Sequence, residues 1–143
     1  MSKLFYFLIR NRKNKNIGKI CTALLKIIGV EIPQQVIVGD NIMFPHLGGN
    51  IVIHPETIIK NHVSIYHGVT IGRADSYIVR EKSKMEKIII EDGTVVCAGA
   101  KILCKSGVLT VGERTVIGAN AVLTKSTGVN EIWASPAVKI GNR

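Results

Sequence analysis

Aliphatic residues recur at every sixth position along most of this chain, and few folds accommodate that spacing. They stand at 47, 53, 59, 65 and 71, again at 90, 96 and 102, and again at 111, 117 and 123. Within the first series Ile51, Thr57, Val63 and Val69, all β-branched, follow four positions behind. A period of six matches neither a helix of 3.6 residues per turn nor a strictly alternating sandwich strand. It matches a coil of short flat strands that turns every sixth residue. The aliphatic points inward, the smaller residue packs near the corner, and Gly, Asn or Asp takes the turn. The repeat therefore predicts an all-β solenoid.

Composition limits what else the chain can be. Its 143 residues are 46% hydrophobic, enough for a packed core in one domain and too apolar for disorder. No uncharged apolar run approaches the ~18 residues of a spanning helix. The stretch Met1–Arg10 lacks the small-residue cleavage site of a secretory signal. Cys21, Cys97 and Cys104 are odd in number and lack metal-type spacing, which suits reduced thiols in a cytoplasmic protein.

The formal charge of +9 is concentrated at one end. Residues 1–30 hold Lys3, Arg10, Arg12, Lys13, Lys15, Lys19 and Lys26 and no acid, whereas residues 31–143 are nearly balanced. A balanced body without a recognition helix or aromatic platform excludes nucleic acid as the partner. Leu4, Phe5, Phe7, Leu8 and Ile9, then Ile17, Ile20, Leu24, Leu25 and Ile28, recur at helix-like spacing among the cations. Residues 1–30 thus read as a short basic amphipathic helical segment with two open uses. One is a cap packed on the solenoid; the other is peripheral contact with an anionic membrane.

The repeat breaks twice, and breaks in local regularity are where function is expected. Between Val38 and Leu47 the aliphatic phase slips by three residues, and His46 sits at the slip. Glu31 precedes Ile32 as His46 precedes Leu47, so both are expected at one phase of adjacent coils. Stacked strands lie ~4.8 Å apart, which lets the carboxylate reach the imidazole. Such a pair orients the ring and raises its basicity, making a general base for a hydroxyl. The second break, residues 73–87, is charged and aperiodic and reads as one protruding loop, a flap over an acceptor site. His67 borders that loop and reads as an acceptor contact; His54, beside Pro55, reads as a corner residue.

The period, together with Gly29-Val-Glu-Ile-Pro-Gln-Gln-Val-Ile-Val-Gly-Asp-Asn-Ile-Met-Phe-Pro-His46, resembles the hexapeptide-repeat acyltransferases over about residues 29–140. Ser64-Ile-Tyr-His-Gly-Val-Thr-Ile-Gly72, Ala98-Gly-Ala-Lys-Ile-Leu103 and Ser135-Pro-Ala137 narrow the resemblance. They are similar to the serine acetyltransferase branch and its colanic-acid-type and O-antigen or capsule relatives. The resemblance implies a left-handed parallel β-helix over residues 31–143 and a homotrimer with sites between subunits. It implies acetyl-CoA as co-substrate and Glu31 and His46 as the catalytic acid–histidine pair. Expected coenzyme contacts are Gly72, Ala98, Ala100, Ala119, Thr124, Lys125 and Lys139. His62 and His67 are spaced like zinc ligands of another β-helix group, but Lys26 stands where a third histidine is needed, and no metal is expected. Cys97 and Cys104 lack a neighbouring base and read as structural, so transfer is expected to be direct.

Departures from the branch bear on the acceptor. The serine enzymes carry Asp before the histidine and an Arg-His pair at the end of the flap; this chain has Pro45, Glu86 and Lys87. A site without those anchors leaves a bound amino acid unpaired. The sequence therefore points to a sugar hydroxyl of a surface polysaccharide precursor, with His67, Arg73 and Lys87 as acceptor contacts. Serine O-acetylation and a non-catalytic binding scaffold remain the alternatives.

Overall fold

The structure is a computed structural model and describes residues 3–135. Successive strands go to three different parallel sheets. The first holds β1 (Val30–Glu31), β3 (Ile51–Ile53), β6 (Thr70–Arg73), β9 (Lys101–Cys104) and β12 (Val122–Leu123). The second holds β2 (Ile37–Val38), β4 (Thr57–Ile59), β7 (Lys84–Ile90) and β10 (Ser106–Val111). The third holds β5 (Ser64–Ile65), β8 (Val95–Val96), β11 (Val116–Ile117) and β13 (Ile132–Trp133). The backbone visits the three faces of a triangular prism in turn: the solenoid that the period predicts, in the left-handed parallel β-helix form that the resemblance implies.

Burial follows the six-residue register. Ile53, Ile59, Ile65, Ile71, Ile90, Val96, Ile102, Val111, Ile117 and Leu123 are buried. So are the positions two before them, Ile51, Thr57, Val63, Val69, Ile88, Thr94, Ala100, Leu109, Thr115 and Ala121. Each fully buried isoleucine contributes roughly 1.5–3 kcal/mol. Two of the three inner-corner threonines reach a carbonyl of the next coil, while the buried Thr57 Oγ1 has no hydrogen-bond partner among the described residues. Thr94 Oγ1 donates to Gly112 O at 3.2 Å and Thr115 Oγ1 to Gly128 O at 2.9 Å.

Two of the prism's edges turn through left-handed residues. Gly29, Asn50, Gly68, Gly99 and Asn120 stack along one, with φ of 80, 57, 71, 71 and 57°. Glycine adopts this backbone freely, and asparagine tolerates it. His62, Gly93, Arg114 and Asn130 turn the second edge. The third carries His54 and the aperiodic excursion.

Helices α1 (Lys3–Asn11) and α2 (Gly18–Ile27) cap the first coil by burying Phe5, Leu8, Ile9, Cys21 and Leu25. The Phe5 ring meets Phe44 edge-on at 5.5 Å. Covering the end of a β-helix shields the open strand edges of its terminal coil. The outer faces of the helices keep Leu4, Phe7, Ile20, Leu24 and Ile27 exposed. No helix among the described residues is long and apolar enough to cross a membrane.

The excursion is shorter than the sequence suggested. Lys84–Lys87 belong to β7 and pair with β10, so only residues 74–83 leave the prism. Periodicity missed this because both strands extend beyond the six-residue unit and pair with each other there.

A Cβ at Gly99 would run into Asn120 Oδ1 in a left-handed backbone, whereas one at Gly72 would meet nothing within 4 Å. Gly99→Ala is therefore expected to cost about 1–3 kcal/mol in denaturant unfolding, and Gly72→Ala to be near neutral. Equal midpoints for the two variants would contradict the stacked-edge account.

Candidate active site

Three additional residues in one coil build the site. Met43 pairs with Ser64 and Val52 with Thr70, so Met43–Val52 is three residues longer than Ser64–Thr70. The surplus forms a 3-10 turn, Pro45–Gly48, in which His46 and Leu47 have φ of 56 and 59°. Left-handed backbone at bulky residues costs energy and is held by the surrounding structure, a state associated with functional sites. The turn expels both side chains. Leu47 is 45% exposed rather than inward as the period predicted, and Gly48 is buried in its place.

Expelled from the coil, the His46 ring meets His67 edge-on, with centroids 5.3 Å apart and planes at 84°. His67 precedes Gly68 on the same prism edge. Backbone bonds continue that edge: Gly68 N–H to Gly49 O at 2.8 Å, Gly99 N–H to His67 O at 2.9 Å and Asn120 N–H to Ala98 O at 2.9 Å. Ala98 and Ala119 thus lie on successive coils below the two histidines. Lys101 on the first sheet donates Nζ to Gly68 O at 2.8 Å and braces this edge. Sequence reasoning did not single out Lys101; its only signal was its place after Ala98-Gly-Ala.

Other expected site residues fall in different places. Ala100 is fully buried and fills the core, so its methyl cannot face a coenzyme. Gly72 is open on its outer side. Thr124 and Lys125 are exposed beyond β12, with Lys125 Nζ 5.2 Å from the centre of the Trp133 ring. Lys139 lies outside the described residues. Glu31 projects from the first sheet, exposed, with Val52 of β3 as its register partner. Its carboxylate is 3.7 Å from Lys26 Nζ, with both side chains at least half exposed.

The excursion is stapled from within. Arg73 Nε donates to Asp75 Oδ1 at 2.8 Å, and Arg73 Nη2 to the carbonyls of Asp75 and Ile78. Ser83 Oγ donates to Asp75 Oδ2 at 2.8 Å. The Arg73 hydrogen bond, then that of Ser83, holds the buried Asp75 carboxyl below its usual range. Arg73 therefore organises the loop instead of reaching an acceptor. Lys87 is exposed on β7, where the register shift opposite Gly107 and Val108 leaves Glu86 without a partner. The excursion departs from the His54 edge, so within one chain it does not cover His46 as the flap reading expected.

His54 Nδ1 accepts the Glu56 N–H at 3.2 Å, a corner role; burial, then the Arg80 charge, lowers its pKa. His62 turns a different edge from His67, which separates that pair. Among the described residues no three His, Cys, Asp or Glu gather to hold a metal. Burial raises the Cys104 pKa, which makes its thiol a poor nucleophile at neutral pH.

No protein-family model matches the chain. The serine acetyltransferase of Helicobacter pylori is 38% identical over 97 residues, 68% of this chain and 52% of that protein. The serine acetyltransferase of Buchnera aphidicola is 36% identical over 100 residues, 70% of this chain and 35% of that protein. The solved serine acetyltransferase of Brucella abortus in complex with coenzyme A superposes with a TM-score of 0.72 at 26% identity. That alignment covers 97% of this chain and 54% of the other. The chain spans half or less of the length of most curated relatives it matches.

These relatives overturn the sugar-hydroxyl acceptor expected from the sequence, because the proteins matched are serine acetyltransferases. Pro45, Glu86 and Lys87 show which anchors are missing. A missing anchor does not itself select a new substrate.

Because Asp75 is depressed in the folded state, its contribution is complete above the ordinary carboxylate range. It is lost as pH falls through the lowered value. Asp75→Asn should bring that loosened state to neutral pH, with faster tryptic cleavage after Arg80 and Lys82. A cleavage rate equal to wild type would show that the Arg73–Asp75–Ser83 staple does not hold the excursion.

Proposed function

Because this chain belongs to the hexapeptide-repeat, serine-acetyltransferase-like acyltransferase family, we propose that it transfers the acetyl group of acetyl-CoA to the hydroxyl of serine. The observation that carries this reading is the edge-on pair His46 and His67 heading a prism edge that continues through Ala98 and Ala119. A base at the head of a strip of small residues suits a reaction between a hydroxyl and an extended thioester. Gly72, Ala98, Ala119, Thr124 and Lys125 are the proposed coenzyme contacts, Gly72 having open space on its outer side.

In this mechanism His46 takes the proton of the serine hydroxyl as its oxygen attacks the thioester carbonyl. The tetrahedral adduct collapses, the C–S bond breaks, and the imidazolium returns the proton to the departing thiolate. The products are O-acetylserine and free CoA. Glu31 is assigned to stabilise the imidazolium. Its exposed pair with Lys26 is worth only about 0–1 kcal/mol, so little holds the carboxylate away. His67 and the exposed Lys87 are assigned to the acceptor, Lys87 matching the carboxylate of serine in charge.

The assembly belongs to the same proposal. In one chain the excursion and His46 occupy different edges, so a neighbouring copy in a trimer would supply the cover; sedimentation of the intact chain tests this. Peripheral contact of residues 1–30 with an anionic membrane is supported by exposed Leu4, Phe7, Ile20, Leu24 and Ile27 among cations. Salt-dependent binding to anionic vesicles tests it.

The decisive assay is release of CoA thiol from acetyl-CoA with and without serine. His46→Ala should lower serine-dependent turnover by about 10²–10⁴-fold. Glu31→Gln should cost less than His46→Ala in the same assay. Thiol release that serine does not accelerate would sink the proposal.

A further inference from the structure

The cap meets the first coil around a cavity of about 470 Å³, lined by Tyr6, Ile9, Arg10, Arg12 and Lys13 on one side and residues 37–42 with Phe44 on the other. That volume lies within the range of small-molecule sites, and its lining is mixed, with the buried Ile9, Ile42 and Phe44 beside the charged groups. Its charges are unbalanced: three cations face one carboxylate, Asp40, which is 3.3 Å from Arg10 at the exposed rim.

Arg12 is the unusual member. It is only 3% exposed, and its Nη1 and Nη2 donate to the neutral carbonyls of Ile9 and Val36. Among the described residues Nε has no hydrogen-bond partner, and no carboxylate lies within ion-pair distance of the guanidinium. Carbonyl dipoles at the end of α1 offset part of the cost of a buried cation but supply only about half a charge. Lys13, next along the chain, makes no hydrogen bond or ion pair among the described residues, and its pKa is lowered by burial and then by Arg12. The cavity therefore holds an excess of two positive charges and leaves donors unspent on Arg10 and Lys13.

We propose that this cavity binds a phosphate monoester, its dianionic head among Arg10, Arg12 and Lys13 and its organic part against the apolar lining residues Ile9, Val38, Ile42 and Phe44. Such a group carries ≈ −1.5 to −2 charge at neutral pH and three acceptor oxygens, matching the excess. A carboxylate would leave one cation unbalanced. Because Arg12 joins the end of α1 to Val36, an occupant would also tie the cap to the first coil. The site is independent of the acetyl-transfer proposal, since none of its residues is assigned to that chemistry.

The test is calorimetric titration of the full chain with inorganic phosphate, glycerol 3-phosphate and acetate, beside flotation on phosphatidylcholine vesicles carrying phosphatidic acid or, at equal charge, phosphatidylglycerol. The double variant R10Q/K13Q removes two exposed side chains, and circular dichroism checks that it stays folded. The expected result is saturable glycerol 3-phosphate binding that weakens at least about tenfold in the variant. Binding confined to phosphatidic acid vesicles and lost in the variant supports the same chemistry with a lipid headgroup as its source. Three results would overturn the site: equal affinity in the variant, acetate binding as tightly as glycerol 3-phosphate, or no saturable binding to any phosphate probe.

Discussion

Strands in this molecule are two to seven residues long, too short to hold together by anything local. What organises them is the stacking of coil on coil, in which each strand takes its hydrogen bonds from chain more than a dozen residues away. Stacking works only if every coil presents the same length, an aliphatic residue inward and a sharp turn at the edge. That one constraint explains the period of six. It also explains the left-handed column of Gly29, Asn50, Gly68, Gly99 and Asn120.

The same constraint makes any change in coil length visible. A coil with three surplus residues cannot bury them without losing register with its neighbours, so it expels them. Pro45–Gly48 is that expulsion, and it delivers the His46 ring to the outer side of the edge where His67 stands. At the other break the surplus is larger and folds back on itself. Asp75, buried among Arg73 and Ser83, gives an otherwise charged segment a small polar centre of its own. One break exports a histidine; the other builds a separate unit on a different edge.

At the capped end, charge rather than register is the dominant feature. Residues 1–30 bring seven cations and no acid to a body that is nearly balanced. Their inner face is satisfied by Phe5, Leu8, Ile9, Cys21 and Leu25, yet Arg12 is buried there without a counter-ion among the described residues. A buried cation is tolerated where carbonyl dipoles hold it, here those of Ile9 and Val36.

By itself the sequence determined the solenoid, its inward positions outside the phase slip and the existence of two interruptions, because each depends on a repeat that local spacing displays directly. His46 and His67 were legible for the same reason, one at a phase slip and the other bordering the aperiodic segment. Only the tertiary structure decided which side chains the interruptions bring together. Leu47 turned outward, Ala100 inward, Glu31 toward Lys26 and Arg73 toward Asp75. None of these follows from spacing, since each depends on how extra residues are absorbed against neighbouring coils. Which edge of the prism carries the excursion, and that it is not the edge of His46, is likewise set by stacking between residues far apart in the chain.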